Sequence, residues 1–225
     1  MSFSIACAAL VKTPAQSNIK TRLARDIGKE HAETFYLLSV KAMEALMHNA
    51  NNNIDNLTPI WVVNEPQSLN HPLWQTYERR FSGEGGLGEK LHHTYATLQQ
   101  HYDIVVIIGS DSPQLPLSII TQTVEYLRSY PSNFVIGPSE DGGYYLFAGR
   151  TPISQHVWLD TPYSAHNTRA EFLKRLAPSY VHELPIYGDV DYVSDMQTCY
   201  EQITDDSLKE QQNVKQWMIN QGYCR

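Results

Sequence analysis

The sequence predicts an α/β fold in which helices flank a mostly parallel central sheet. Short apolar, β-branched segments of the buried-strand type alternate along the chain with amphipathic segments of helical period. Two of these apolar segments, within residues 103–113 and 133–146, stop at a glycine and then present a carboxylate. Since ligands of open α/β sheets bind just beyond the carboxyl ends of the strands, the same pattern predicts a polar site at that edge.

The first part of the chain is expected to supply two strands and two helices. Residues 2–10 are predicted as the first strand, followed by a loop. Residues 29–49 place apolar side chains at steps of three and four, which indicates an amphipathic helix. Residues 58–64 are predicted as the second strand, and a glycine-rich stretch then leads into a helix over residues 89–100.

The middle of the chain carries the two acidic motifs. A strand is predicted to end at Asp111, and Pro116 then opens a helix because proline suits the first turn of a helix. Residues 133–138 and 144–148 are predicted as strands separated by an Asp-Gly-Gly turn that begins at Asp141. The plainer alternative is that Asp111 caps a helix and that the Asp-Gly-Gly sequence is an ordinary turn.

The last part of the chain combines short helical and extended segments. Residues 168–176 are predicted as a short helix and residues 180–185 as an extended segment. Ser194 and Gln197 have the spacing of a capping box, which predicts that a helix starts there.

Composition limits the class of protein. The 225 residues are predicted to form one domain over residues 1–225, and the net charge of −7 disfavours nucleic acid and anionic membranes as partners. No apolar run approaches the roughly 20 residues that a membrane helix needs, so membrane insertion is not expected. Cys7, Cys199 and Cys224 lack paired spacing, which favours reduced thiols in a cytoplasmic protein. The oligomeric state is left open.

A basic loop is predicted directly after the first strand. It contains Lys12 and the run Lys20-Thr21-Arg22. The first βα loop of a doubly wound sheet often binds phosphate, for which lysine supplies a point charge and arginine a planar fork. The alternative is an ordinary solvated loop. Neither the Walker sequence nor the dinucleotide-binding glycine fingerprint occurs in the chain.

Three aspartates are candidate metal ligands. Asp111 follows a predicted strand, and Asp189 and Asp191 lie two residues apart on an extended segment, so their side chains are expected to point the same way. Magnesium prefers oxygen donors and is usually held by one or two carboxylates together with substrate phosphates. The alternative is that Asp189 or Asp191 caps the helix that follows.

Further positions are candidates for contact with a substrate. Gly142 and Gly143 lack a Cβ atom, so a substrate could lie close to the backbone there. Trp158 and Thr161 begin a polar and aromatic cluster that could bind a sugar or another acceptor, and that could equally be an ordinary loop. The cluster continues with His166, Asn167 and Thr168.

Taken in order, these motifs resemble the bacterial glycosyltransferase-like proteins of the nucleotide-diphospho-sugar transferase superfamily. The set in question is the radical-SAM- or selenium-domain-associated transferases, and the likeness spans roughly residues 5–200. Two segments depart from the family pattern: Ser17 stands where glycine is usual, and Gly86-Leu87-Gly88-Glu89-Lys90 stands where Asp-Leu-Gly-Glu-Arg is frequent. The matching motifs are Lys12-x-Pro14, residues 19–23, residues 85–89, residues 109–113, Gly137-Pro138, residues 141–146, Trp158 with Thr161, and residues 189–191.

The resemblance implies a GT-A-type fold that binds a nucleotide together with Mg²⁺ or Mn²⁺. It implies that Lys20 and Arg22 hold phosphates, that Asp111 binds the metal, and that Asp189 or Asp191 completes the metal shell. The remaining implied contacts are Lys12, Thr21, Gly88 and Ser110 for the nucleotide, and Asp141, Gly142, Gly143 and Tyr144 for the sugar or acceptor.

The leading functional prediction is a metal-dependent glycosyltransferase that uses a nucleotide-activated donor and a small-molecule acceptor. In it, Lys20, Arg22 and a metal at Asp111 would neutralise the charge growing on the departing diphosphate. Asp141 is the first candidate for general base and His166 the second. One alternative is a guanylyltransferase-like nucleotidyltransferase that releases pyrophosphate, and another is a nucleotide-binding regulatory protein without turnover.

Overall fold

A seven-stranded sheet forms the centre of the structure, a computed structural model that describes residues 3–224. The order in the sheet is β3-β2-β1-β4-β6-β5-β7, and β6 is antiparallel to both neighbours while the other pairs are parallel. The sheet is thus mostly parallel, as the sequence predicts. The strands are β1 (Ile5–Val11), β2 (Leu57–Val63), β3 (Glu78–Phe81), β4 (Ile104–Gly109), β5 (Phe134–Pro138), β6 (Tyr144–Gly149) and β7 (Val181–Glu183).

Helices cover both faces of the sheet. Buried side chains of α2 and α4 pack on one face, and those of α3, α5 and α6 pack on the other. A further cluster joins α1, α2, α7 and α8. Because both faces are covered, β1 and β4 read as nearly continuous apolar runs. The α-helices are α1 (Leu23–Ile27), α2 (Lys29–Asn53), α3 (Leu87–Gln99), α4 (Leu117–Ser129), α5 (Gln155–Leu159), α6 (Thr168–Leu176), α7 (Asp195–Gln202) and α8 (Lys209–Asn220), and short 3-10 helices occupy Pro66–Ser68 and Pro72–Trp74.

The predicted strands and helices are present, with differences at a few boundaries. The first strand begins at Ile5, and Ser2, where it was predicted to begin, lies outside the described residues. The edge strand β3 and the helices α1, α5 and α8 were not predicted from the sequence. Within residues 3–224, no helix combines the length and apolar character needed to cross a membrane.

The capping box predicted at Ser194 and Gln197 is wrong, although α7 starts where it was expected. The Ser194 side chain makes no cap hydrogen bond to the helix, and Gln197 bonds to Glu201 instead. The Asp195 carboxylate accepts hydrogen bonds from the backbone N–H groups of Asp191 and Tyr192, at 2.9 and 2.8 Å. A carboxylate at the first helical position therefore orders the turn before α7.

The reversed direction of β6 brings the acidic turn to the predicted edge. β1 and β4 run parallel, so the loops that follow both strands emerge on the same side of the sheet. Because β6 is antiparallel to β4, the turn between β5 and β6 lies on that side as well. The segment around Val190 joins them through a backbone hydrogen bond of 3.1 Å to the Asp111 carbonyl.

Candidate functional site

A cavity of about 550 Å³ opens at this edge of the sheet. Its walls come from the loop after β1, the end of β4, the β5–β6 turn and the segment before α7. The structure therefore brings together most of the residues that the sequence analysis singled out. The predicted site residues on its wall are Lys12, Lys20, Thr21, Arg22, Ser110, Asp111, Asp141, Gly143, Tyr144, Thr168, Asp189 and Asp191.

Lys20 is the cation at the centre of the acidic side chains. Its Nζ lies 2.6 Å from Asp111 Oδ1 and 3.7 Å from Asp191 Oδ1, and it donates a hydrogen bond of 2.8 Å to the Val190 carbonyl. The Lys20 side chain is only 3% exposed, whereas those of Asp111 and Asp191 are 46% and 35% exposed. The ammonium thus lies beneath two carboxylates that remain open to the cavity.

Arg22 extends the charged cluster towards the cavity rim. Its guanidinium donates to Asp191 Oδ2 at 2.8 Å and lies 6.0 Å from the ring centre of the exposed Tyr192. The Arg22 side chain is 45% exposed, so its remaining N–H groups can reach a ligand. Lys20 and Arg22 therefore share Asp191 and face the same cavity.

Asp189 has the most perturbed carboxylate of the site. Burial, and next the charge of Asp111 nearby, raise the pKa of Asp189 to about 6, although Ser112 and Lys20 oppose the shift. The Ser112 hydroxyl donates to Asp189 Oδ1 at 2.5 Å. Two carboxylates that repel each other in a half-buried position are stabilised when a cation lies between them.

Glu65, which follows β2, holds the basic loop in place through hydrogen bonds. Its carboxylate accepts hydrogen bonds from the Thr13 backbone at 2.8 Å, from the Asn64 amide at 3.1 Å and from the Ser17 hydroxyl. Burial alone would raise the pKa of Glu65, but these hydrogen bonds outweigh it and lower the pKa. Ser17 therefore supplies a bond to this network at the position where the resembling family usually has glycine.

The start of the basic loop is fixed by a phenol from α2. The Tyr36 hydroxyl donates to the Lys12 carbonyl and accepts from the Lys12 backbone N–H, both at 2.8 Å. One side chain thus satisfies both polar groups of a residue that no strand pairs. Lys20, later in the loop, has a positive φ of 43°, a backbone conformation that carries some strain.

The Asp141 turn presents one free carboxylate oxygen. Asp141 Oδ1 accepts from the Ser139 hydroxyl at 2.7 Å and from the Gly143 N–H at 2.8 Å. Among the residues that the structure describes, nothing donates to Asp141 Oδ2. His166, the second candidate for general base, does not lie on the cavity wall.

Gly142 does not lie on the cavity wall, and its predicted contact with a substrate stays a prediction. It has a φ of 88°, and a Cβ atom added there would lie 1.7 Å from the His166 carbonyl oxygen. The Gly142 carbonyl also accepts a hydrogen bond of 2.9 Å from Arg169. The missing Cβ atom accommodates the chain segment before α6, and of the two glycines only Gly143 lies on the cavity wall.

Three more predicted contacts are not on the cavity wall. Trp158 is fully buried and packs against Phe172, and the Thr161 hydroxyl bonds to the Val157 carbonyl at 2.7 Å. A Cβ atom at Gly88 would lie 2.6 Å from the Trp158 carbonyl oxygen. Gly88 therefore allows α3 to pack closely on α5, and its contact with a nucleotide stays a prediction.

The structure does not gather the three predicted metal ligands into one shell. Across residues 3–224, no three His, Cys, Asp or Glu side chains form a ready-made metal site. Asp191 forms ion pairs with Lys20 and Arg22, both of which lie within 4 Å of its carboxylate. Asp111 and Asp189 remain close enough to interact electrostatically, and two carboxylates fit a cation that takes its other ligands from phosphates.

Several residues of the site were not predicted from the sequence. Asn64 and Glu65 follow β2 directly, so the rule that identified Asp111 also applies to them. Lys90 of α3 lies on the cavity wall and donates to Asn64 Oδ1 at 2.6 Å. Tyr36 does not follow a strand and belongs to the apolar face of a helix, so the sequence pattern did not indicate that it contributes to the site.

A comparison with protein families links the central part of the chain to one family. Residues 58–165 match a family described as "Uncharacterized protein conserved in bacteria (DUF2064)". The match covers just under half of the chain and includes Asp111 and Asp141, but not Lys20, Asp189 or Asp191. No curated protein matches the chain.

Solved structures resemble the whole fold. A protein from Desulfovibrio desulfuricans G20, proposed to be a nucleotide-diphospho-sugar transferase, is 25% identical over 100% of both chains, with a TM-score of 0.82. The CMP:2-keto-3-deoxy-manno-octonic acid synthetase in complex with CTP is 10% identical over 97% of this chain and 99% of that chain, with a TM-score of 0.54.

A third similar structure contains both a metal and a nucleotide. It is the glucosyl-3-phosphoglycerate synthase of Mycobacterium tuberculosis in complex with Mn²⁺, UDP and phosphoglyceric acid. It is 12% identical over 83% of this chain and 69% of that chain, with a TM-score of 0.51. The chain therefore has the GT-A-like fold of nucleotide-diphospho-sugar transferases that the sequence predicts. The narrower likeness to radical-SAM- or selenium-domain-associated transferases stays a prediction.

Proposed function

We propose that the protein is a transferase that uses a nucleotide-activated donor, and that it transfers a glycosyl group to a small-molecule acceptor. The observation that carries the proposal is the meeting of Lys20 and Arg22 with Asp111 and Asp191 at one open cavity. The fold, which is shared with a protein proposed to be a nucleotide-diphospho-sugar transferase, supports the same reading.

Lys20 and Arg22 would bind the diphosphate of the donor. Arginine offers a planar fork for two phosphate oxygens, and the lysine ammonium offers a compact charge. As the bond between sugar and diphosphate breaks, negative charge grows on the leaving group, and fixed cations stabilise that charge. Lys12 and Thr21 line the same cavity and would complete the phosphate contacts.

A divalent cation, Mg²⁺ or Mn²⁺, is part of the proposal. Asp111 and Asp189 would hold it, because Mg²⁺ in such sites usually takes one or two carboxylates and fills its remaining positions with phosphates and water. When bound, the cation would supply further positive charge to the diphosphate. Asp191 would orient Arg22 and Lys20 rather than bind the metal.

Asp141 is the proposed general base. Its Oδ1 is fixed by Ser139 and Gly143, so Oδ2 is held in place and can accept a proton from an acceptor hydroxyl. The acceptor would then lie between Asp141 and Tyr144, both of which line the cavity. Positioning the two reactants in one cavity would supply much of the remaining rate enhancement.

A thermal-shift panel of nucleotides and nucleotide sugars, each with and without Mn²⁺, tests the proposal. A ligand at 100 times its dissociation constant adds about 2.7 kcal/mol of stability, which is readily measured. The nucleotide-dependent shift should fall in Arg22→Ala, because a phosphate loses its cation. It should persist in the matched control Arg128→Ala, since Arg128 lies on α4 and not on the cavity wall. Equal shifts in both variants would remove Arg22 from the site.

The products distinguish the possible reactions. Release of free nucleoside diphosphate from a nucleotide sugar would support glycosyl transfer. Release of pyrophosphate from a nucleoside triphosphate would replace that proposal with nucleotidyl transfer. Nucleotide binding without any product, for a broad panel of acceptors, would indicate a regulatory protein instead.

A further inference from the structure

We infer that the Lys20 ammonium and a divalent cation compete for Asp111, so that the cation binds well only after a diphosphate has drawn Lys20 away. The inference rests on the proposed function for the identity of the diphosphate, but its main test needs no nucleotide. It concerns the order and the coupling of binding, which the fold alone does not specify.

Oxygen atoms surround the ammonium group of Lys20. An ammonium group has three N–H donors, and three oxygens face the Nζ of Lys20. These belong to Asp111 at 2.6 Å, to the Val190 carbonyl at 2.8 Å and to Asp191 at 3.7 Å. The ammonium therefore holds a set of oxygens of the kind that a hard cation prefers.

The ammonium and a metal would both use the Asp111 carboxylate. Asp111 Oδ1 is the nearest partner of Lys20, and Asp111 is the carboxylate that lies close to Asp189. A metal on Asp111 would lie next to the Lys20 ammonium, whose side chain is only 3% exposed, and two adjacent positive charges repel each other. The free chain therefore favours Lys20 over the metal.

A bound diphosphate would end the competition between Lys20 and the metal for Asp111. Lys20 and Arg22 both line the cavity, and Asp111 is exposed enough to exchange partners. When phosphate oxygens become the partners of Lys20, Asp111 is released to the metal. Metal and diphosphate then strengthen each other's binding by the same factor, which for coupled sites is typically about 5-fold to 150-fold.

The alternative is a permanent ion pair that only ties the basic loop to the acidic segment. A permanent pair predicts that removing the Lys20 charge destabilises the protein without creating a cation site. Competition predicts that removing the charge creates one. The two readings therefore differ in whether the loss of the Lys20 charge raises the affinity for a divalent cation.

The test is a titration of Mn²⁺ alone, followed by the electron paramagnetic resonance signal of the free ion. In Lys20→Met, which keeps an apolar stem at a buried position, Mn²⁺ should bind at least about tenfold more tightly than to the wild type, within the usual range of coupling. Lys12→Met is the matched control, because it removes the same charge from the same cavity and has no carboxylate within 4 Å in the described chain. Adding Asp111→Asn to Lys20→Met should abolish the gain.

Two results would overturn the inference. One is Mn²⁺ binding to Lys20→Met that is no tighter than to Lys12→Met, with both variants folded by circular dichroism. The other, which uses only the wild type, is a nucleoside diphosphate affinity that Mn²⁺ leaves unchanged. If the wild type binds no nucleotide at all, the proposed function fails, while the Mn²⁺ titration of Lys20→Met still decides the competition.

Discussion

Glu65 shows how one residue outside the charged centre determines the shape of the site. Its carboxylate ties the backbone of Thr13, the hydroxyl of Ser17 and the amide of Asn64 to the end of β2. Asn64 in turn accepts a hydrogen bond from Lys90. The network therefore links the basic loop to α3 and fixes the path that the chain takes towards Lys20.

Glu65 also gives a prediction about pH. Because its pKa is lowered in the folded protein, the ionised form stabilises the fold at pH values above its ordinary pKa of 4.5, and that stability is lost as pH falls through the lower, folded value. Glu65→Gln should reduce the free energy of unfolding by about 2 kcal/mol at pH 7. The difference from wild type should shrink as pH drops below 4.5.

Urea unfolding at a series of pH values measures this effect. Glu125→Gln is a suitable control, because Glu125 is an exposed residue of α4 whose carboxylate makes no hydrogen bond or ion pair within the described residues. A difference between wild type and Glu65→Gln that stays constant from pH 7 to pH 3 would show that the Glu65 charge does not stabilise the loop.

At the level of elements, the β5–β6 turn depends on its contact with the segment before α6. Gly142→Ala combines a positive φ of 88° with a Cβ atom that would meet the His166 carbonyl, so the turn or the segment must move. Gly28 has a φ of 85° with nothing within 4 Å of an added Cβ, so Gly28→Ala isolates the backbone strain. We expect Gly28→Ala to cost about 1–3 kcal/mol and Gly142→Ala about 2 kcal/mol more.

Chemical denaturation of the two glycine variants checks this expectation. A shift of the turn would also move Asp141, so Gly142→Ala should impair turnover while Gly28→Ala leaves it unchanged. Equal losses of stability in the two variants would show that the His166 segment adapts freely and does not fix the turn.

The elements that the sequence predicts are those with a strong local pattern. The apolar runs of β1, β2, β4 and β5 can be recognised as strands from the sequence because both of their faces are buried. By contrast, β3 reads Glu-Arg-Arg-Phe, and only its pairing with β2 at the sheet edge makes it a strand. The helices α1 and α5 have five residues each, too few to show a period.

Site residues that follow a strand could be predicted from the sequence. Residues whose position depends on tertiary packing were harder to predict. Asp111 and Asp141 follow strands, and both lie on the cavity wall. Trp158 was a candidate for binding a sugar, but it is buried where it packs against one face of the sheet. This burial cannot be read from a single sequence. Tyr36 reaches Lys12 only because α2 crosses behind the loop after β1, a contact that depends on the whole fold.

At the scale of the molecule, the site joins parts of the chain that are far apart in sequence. Lys20 bonds to Val190 across 170 positions, and Arg22 to Asp191 across 169. The net charge of −7 does not prevent a local basic patch, because the acidic and basic side chains of the site balance each other within a few ångströms. The phosphate binding that we propose would therefore depend on the local charges of this cavity and not on the overall charge.

A crystal structure with a nucleoside diphosphate and Mn²⁺ tests the central claim most directly. The diphosphate should be the one that gives the largest thermal shift, and the anomalous signal of manganese locates the ion independently. The account predicts phosphate density against Lys20 and Arg22, manganese at Asp111 and Asp189, and a Lys20 ammonium that has left Asp111. Diphosphate bound away from Lys20 and Arg22, or manganese away from both aspartates, would contradict it.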